Sequence, residues 1–398
     1  MHLVYIVKAT LIERDLVRYG ITEILAAGHR VSVLDISEFC HPELQHDHSK
    51  TANASGMDVH YISTESDIAD KFHIMASADC AMLLIHSISC NWKSYQVLRH
   101  IQKAELPYLI LKPMLFPGWN VRTDRSVSTS WISEFAKRFR TIKIQNSIFA
   151  RIPSRYLRIP KATFAVHSGT ENDKVQDQLT NSNTEIIHAH SFDFEAISRI
   201  APAPIKEQAV FVDQYLPFHP DIVAANIRQR IDPEKYYTSL NKLFDRIEER
   251  YGLSVIISPH PRANYSKHPG VFAGRTISQE KTTSLINSSR LVIGHYSTAL
   301  GQAVLLNRPV MLLSSSELEQ LDFKYKYIFL AFARELGTKL RYFNDPYETD
   351  LEDVLDVNAE RYDQFIARYL KHPDAPDMPL WETIVAAIEK SRAARSLT

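Results

Sequence analysis

Residues 3–37, LVYIVKATLIERDLVRYGITEILAAGHRVSVLDIS, hold the pattern that decides the fold. LVYIVKA is an apolar run of strand length, IERDLVRYGITEILAAG repeats its apolar positions at helical spacing, and HRVSVLDIS is a second strand-length run. A helix carries the chain back along a sheet, so the two strands it joins lie parallel. The stretch is one βαβ unit.

Outward from it the rhythm repeats. After a His-rich polar loop (residues 41–56), DCAMLLIHSIS and PYLILKP read as strands around a helix through WKSYQVLRHIQKAE. From Lys112 to His190 the pattern is less regular: a loop over 115–131, a basic helix over 132–146 containing KRFRTIK, and a polar connection over 168–186. HAHSFDFEAISRIAP then runs into APAP (201–204), whose prolines read as a linker. Residues 1–197 form a first α/β domain on this reading, and 205–375 a second. In the second, QAVFVDQYL, LSVIISPHP, RLVIGHYS and RPVMLLSS are strands. DPEKYYTSLNKLFDRIEERYG is a capped helix ending in glycine, and SQEKTTSLINSS and TALGQAVLLN are helices. Two Rossmann-like domains in series follow, with a terminal helix within 376–398.

Composition agrees with a globular enzyme. The 398 residues exceed what one core serves, apolar residues make up 45%, and 46 basic residues balance 46 acidic ones, so no global field argues for nucleic acid. The three cysteines, Cys40, Cys80 and Cys90, make neither a disulfide framework nor a zinc motif. No run approaches the ~20 apolar residues of a membrane span. The expectation is a cytoplasmic protein with at most peripheral membrane contact.

Ligands of an open parallel sheet bind beyond the C-terminal ends of its strands. Three strands of the second domain end in polar groups. VFVDQYLPFHPD brings Asp213 and Gln214, with His219 in the loop; the carboxylate is either a base or nucleophile, or a loop cap. ISPHPRANYSKHPG brings His260 and Arg262, either two anion donors or a loop held by its own backbone, while the second His-Pro, at His268, gains no role. IGHYSTALGQA brings Gly294, His295, Tyr296, Ser297 and Thr298, with a helix expected to start at Ser297 or Thr298. It is either an anion site or an ordinary helix cap. Neither GxGxxG nor GxxxxGK[ST] occurs. Of the remaining polar groups, His188, His190, Asp193 and Glu195 match no metal-ligand spacing, and His190 and Asp193 are set down as hinge or substrate contacts. His86, Ser87, Lys112 and Trp119 are candidates for an acceptor side on the first domain.

With these motifs the chain resembles the CMP-sugar-dependent glycosyltransferases of bacterial surface polysaccharide synthesis, and among them the retaining β-Kdo transferases of O-antigen and capsule linkers. His260-Pro261 and Ser297-Thr298 correspond to that group's His-Pro and Ser/Thr motifs, and HSFDFE and VFVDQYLPFH are similar to its pattern. The resemblance implies the two-domain GT-B arrangement around a central cleft. It further implies CMP-Kdo as donor and a lipid-linked glycan as acceptor. His260 then holds the departing phosphate, supported by Ser297 and Thr298, Gln214, Gly294, His295 and Tyr296 line the donor, and Arg262 grips phosphate or carboxylate. Asp213 attacks the anomeric carbon. Gln214-Tyr215 stands where inverting sialyltransferases carry a second acid and a glycine, which favours retention. No DxD motif occurs, so catalysis is expected to need no metal. An inverting CMP-sugar transferase, a UDP-sugar enzyme such as an epimerase, and a non-catalytic glycan-assembly protein are the alternatives.

Overall fold

The computed structural model describes residues 1–8, 10–42, 48–77, 81–85, 92–112, 117–118, 159–175, 177–219, 231–321 and 323–396. Its first sheet has seven strands, all parallel: β1 (His2–Val7), β2 (Arg30–Asp35), β3 (Met57–Tyr61), β4 (Ala81–Ile85), β5 (Tyr108–Lys112), β6 (Phe164–His167) and β7 (Glu185–His188), in the order β3-β2-β1-β4-β5-β6-β7. Successive side chains of β1 leave opposite faces of the sheet, and each face has its own core. Val4 and Ile6 pack with Phe72, Val97 and Ile101 of the helices Glu65–Ser77 and Trp92–Lys103. Leu3, Tyr5 and Val7 pack with Ile21, Ile24 and, from the far end of the chain, Leu380, Trp381, Ile384 and Ile388. Because both faces are covered, the inner strands β1, β4 and β5 are near-continuous apolar runs rather than alternating ones. β6 and β7 lie in the stretch that reads as irregular in sequence. They are four residues each, too short to stand out beside their polar flanks.

The second sheet has five parallel strands, β8 (Lys206–Val212), β9 (Ser254–Ser258), β10 (Ser289–Gly294), β11 (Val310–Ser314) and β12 (Leu340–Tyr342), ordered β12-β11-β10-β8-β9. Ala209 and Phe211 face the helix Pro233–Tyr251, and Val210 and Val212 face Leu300, Phe332 and Phe365. That helix has clear stops at both ends. Asp232 accepts from the backbone N–H groups of Glu234 and Lys235, Pro233 lacks the N–H that would go unused there, and Gly252 closes it at φ 65.

The helix expected over residues 12–28 is two pieces, Glu13–Arg18 and Ile21–Ala26. Gly20 breaks it at φ 60, and the Trp381 indole lies against the break, its N–H donating to the Arg18 carbonyl at 3.3 Å. That carbonyl is one of those a helix end leaves unpaired. The C-terminal helix, Leu380–Ser396, therefore completes the first domain's core rather than standing as a separate segment.

To reach it the chain crosses between domains twice, and the crossings pair. His190 and Lys371 form an antiparallel bridge, Ser191 N–H donates to Leu370 O at 2.7 Å, and His372 N–H donates to Ala189 O at 3.0 Å. Arg368 donates to Glu171 of the first domain and to Glu335 of the second. Beyond the ends of β5 and β10, Tyr296 OH donates to Pro117 O at 3.4 Å, so the C-terminal edges of the two sheets face each other. Among the described residues, no helix is long and apolar enough to cross a membrane.

The Trp381 contact gives an expected outcome. A Cβ at Gly20 would lie 1.9 Å from the indole, whereas one at Gly28, also at positive φ, would meet nothing within 4 Å. Both alanine variants carry backbone strain of about 1–2 kcal/mol. Gly20→Ala should lose about 1–3 kcal/mol more for the displaced ring, read as a lower melting temperature than that of Gly28→Ala.

Candidate functional site

In the second sheet the chain runs from β8 to β9 on one side and then returns to place β10 on the other side of β8. The crevice beyond β8 and β10 is therefore the switch point, where open α/β sheets bind ligands. Asp213 follows β8 directly and His295 follows β10.

Asp213 is 2% exposed. Its Oδ1 accepts from the Tyr215 N–H at 2.9 Å and its Oδ2 from the Tyr265 hydroxyl at 2.5 Å, while its own N–H donates to Ser258 O at 3.0 Å. Burial pushes its carboxyl up to about 6, against the pull of Tyr265 and of the backbone N–H groups of Tyr215, His260 and Gln214. The residue expected to attack a sugar thus has both oxygens committed. It ties the end of β8 to the loop after β9.

Tyr215, held by that carboxylate, adopts a left-handed conformation at φ 56 and starts an aromatic layer over the loop. Its ring meets Tyr265 edge-on at 5.1 Å, and Phe218 lies flat on His268, with centroids 3.6 Å apart and planes 2° apart. His268, without a role in the sequence reading, is a packing surface for the loop that carries His219. Tyr265 lies inside the quoted ISPHPRANYSKHPG stretch, but nothing in a lone tyrosine marks it as a carboxylate's partner. Burial, then the nearby Asp213, raises its phenol well above the ordinary range.

His260 is half-buried, and its ring meets that of His219 edge-on, with centroids 4.9 Å apart and planes 68° apart. Its Nδ1 accepts the Arg262 N–H at 3.2 Å, which leaves the ring proton on Nε2 as a donor. The Arg262 side chain is exposed on the same turn.

After β10 the structure divides the expected donor residues. Gln214 Nε2 donates to Tyr296 O, joining the β8 and β10 loops, and Gly294 is buried beneath Leu300. Ser297 is half-buried and accepts from the Ala299 N–H at 3.3 Å, and Thr298 is exposed. The helix begins at Leu300 and has six residues, later and shorter than expected, with a turn over Ser297–Ala299 before it. His295 does not line the crevice. It is 0% exposed, its Nδ1 donates to Leu313 O at 3.0 Å and its Nε2 accepts from Tyr236 OH at 2.8 Å, and burial lowers it to about 4. A side chain on the strand's inward face cannot reach the crevice, so this neutral histidine is a core group.

On the first domain, Lys112 is paired with Asp177 at 3.1 Å, and its carbonyl accepts from Asn172. His86, Ser87 and Trp119, and the basic run 137–143, lie outside the described residues. His190 and Asp193 belong to the crossing. His190 Nε2 is 3.2 Å from Glu195 and 3.3 Å from Met378 O, and Asp193 accepts from Gln302 of the second domain at 2.8 Å.

No protein-family profile and no curated protein matches the chain. Solved structures share its fold. The UDP-GlcNAc 2-epimerase of Methanocaldococcus jannaschii aligns over 98% of this chain and 100% of its own, at 10% identity and a TM-score of 0.50. A putative UDP-N-acetylglucosamine 2-epimerase of Listeria monocytogenes aligns over 98% and 96%, at 11% identity and 0.50. The wall teichoic acid polymerase TagF aligns over 92% and 83%, at 9% identity and 0.50. At such identities the likeness is one of fold. The chain has two parallel α/β domains in the GT-B arrangement, closed by a helical C-terminal segment.

Two buried groups that follow β8 and β10, one under the crevice and one in the core, shift with opposite sign. Asp213, raised to about 6, keeps its proton in the folded state after the unfolded chain has released its own near 3.8, so its contribution falls as pH rises between those values. His295, lowered from 6.5 to about 4, works the other way: its penalty applies at low pH and vanishes as pH rises. The two slopes oppose each other in the native protein. Asp213→Asn removes the first, so melting curves should show the variant gaining on the native chain, by up to about 3 kcal/mol, between about pH 4 and about pH 7.

Proposed function

We propose that the chain is a nucleotide-sugar-dependent glycosyltransferase that holds its donor at the C-terminal ends of β8, β9 and β10. One observation carries the reading: at a single switch point, loops bearing an Nε2–H donor (His260), a guanidinium (Arg262) and two hydroxyls (Ser297 and Thr298) are tied together through Asp213 and Gln214. Cationic and hydroxyl donors suit a departing phosphate, whose charge grows in the transition state. The first domain's facing edge is the acceptor side.

The narrower proposal is that the sugar is Kdo, or a related 2-keto acid sugar, carried on CMP to a lipid-linked glycan in O-antigen or capsule synthesis, at the cytoplasmic face of the membrane. The match of His260-Pro261 and Ser297-Thr298 to the CMP-sugar transferase motifs supports it. His260 Nε2–H donates to the leaving phosphate, the Ser297 and Thr298 hydroxyls share its charge, and Arg262 takes the sugar's carboxylate. The missing DxD motif supports transfer without a metal on the donor. Asp213, with both oxygens bonded, serves to hold His260 and Tyr265 in place. A covalent intermediate requires that carboxylate to release Tyr265 and emerge from the core.

A donor panel with a mixed glycan acceptor tests this. CMP-Kdo should release CMP and yield a Kdo-bearing product, and His260→Ala should lower kcat by about 10²–10³. Turnover of UDP-sugars with none of CMP-Kdo would sink the Kdo reading, and epimerisation of a UDP-sugar without acceptor would sink transfer itself. Intact-mass measurement after rapid quench separates the roles of Asp213: no adduct is expected, and a Kdo adduct on Asp213 would make it the nucleophile.

A further inference from the structure

Where the two crossing segments pair, ionisable side chains gather that the proposed transfer does not use. His167 and His188 end β6 and β7 as register partners, Asp173 comes from the short helix Thr170–Asp173, and His372 and Asp374 follow the second crossing. The His188 and His372 rings lie face to face, centroids 3.7 Å apart and planes 5° apart. On one side their Nε2 atoms face Asp173, at 4.0 Å from Oδ1 for His188 and 3.0 Å from Oδ2 for His372. On the other side their Nδ1 atoms face Asp374 Oδ2, at 3.7 and 3.8 Å.

We propose that this cluster is a transition-metal site of zinc type, held by Asp173, His188 Nε2 and His372 Nε2, which fastens the crossing between the domains. One ligand atom from each of the three residues lies within 4.8 Å of the others. Two imidazoles and a carboxylate form a donor set that suits Zn²⁺ and leaves a fourth position for water. Asp374 stands where the outer carboxylate of a metal-bound histidine belongs, on the far nitrogen of both rings. His167 steadies Asp173 from outside the set, its Nδ1 at 2.7 Å from Oδ1.

The arrangement needs two small changes to close on an ion. Face-to-face rings direct their Nε2 lone pairs side by side, so one ring must tilt. His188 is the one that can: its side chain is 33% exposed and its nearest carboxylate oxygens are 3.7 and 4.0 Å away, beyond hydrogen-bond length. His372 Nδ1 now accepts the Asp374 N–H at 3.0 Å, which keeps its proton on Nε2. Ligation moves that proton to Nδ1, where the Asp374 carboxylate takes over as its partner. No residue of the switch-point crevice is involved, so the site is independent of the proposed transfer.

The test uses the full chain, stripped with a chelator and titrated with Zn²⁺ alone against a chromophoric competitor, beside His188→Ala and Asp173→Asn. The native chain should take up one tightly held zinc per molecule and melt at a higher temperature with it. Both variants should bind at least tenfold more weakly, and Co²⁺ should give the visible absorption of a tetrahedral site that His188→Ala lacks. With 17 histidines in the chain, adventitious binding is the competing outcome. Equal zinc affinity in the native chain and His188→Ala would overturn the proposal, as would no uptake by the native chain. Matching melting temperatures of metal-free native chain and His188→Ala show that any lost binding is not lost folding.

Discussion

The carboxylate of Asp213, buried where β8 ends, is the constraint on which the crevice depends. An isolated buried charge is costly, and this one is offset by the Tyr265 hydroxyl and by backbone N–H groups from its own loop and from the loop after β9. Those bonds decide where His260 sits, because His260 contributes one of the N–H groups. They also hold Tyr215 in a left-handed conformation that turns the chain toward Phe218 and His219. A residue read in sequence as reactive thus ties together the loops that carry His260, Tyr215 and Tyr265.

The crossing between the domains is the second constraint. The last helix does not finish the domain that precedes it. Trp381 fills the break at Gly20, and Leu380, Ile384 and Ile388 complete the core beneath β1. The paired segments around His190 and Lys371 and the two-sided grip of Arg368 therefore join halves that share structure as well as a cleft. The Asp173, His188 and His372 cluster lies beside these paired segments, where β6 and β7 end and the chain returns from the second domain.

Much of the fold was legible because local rules and tertiary packing agree. The helix Pro233–Tyr251 carries its Asp-Pro start and its glycine stop in sequence, and the apolar runs of β1, β2, β8 and β10 leave little choice of element. β6 and β7 were lost in their polar flanks, and the helix break at Gly20 depends on a tryptophan more than 350 residues away. In the site, Gln214 and His260 could be placed at strand ends from sequence. His295 misled because a strand's last residues alternate between core and crevice, and only packing shows which way each one turns.

Sequence alone determined the class of fold, two parallel α/β domains with their polar motifs at strand ends, because periodicity and caps are local properties. It also determined which polar groups follow the strands of the second domain, imidazole, guanidinium and hydroxyl, and that neither GxGxxG nor GxxxxGK[ST] stands among them. Tertiary structure decided which of those groups meet. The pairing of Asp213 with Tyr265 and the stacking of His188 on His372 join residues 52 and 184 positions apart. No pattern along the chain encodes such contacts, since they arise only when separate strands are brought side by side and burial makes each polar group find a partner.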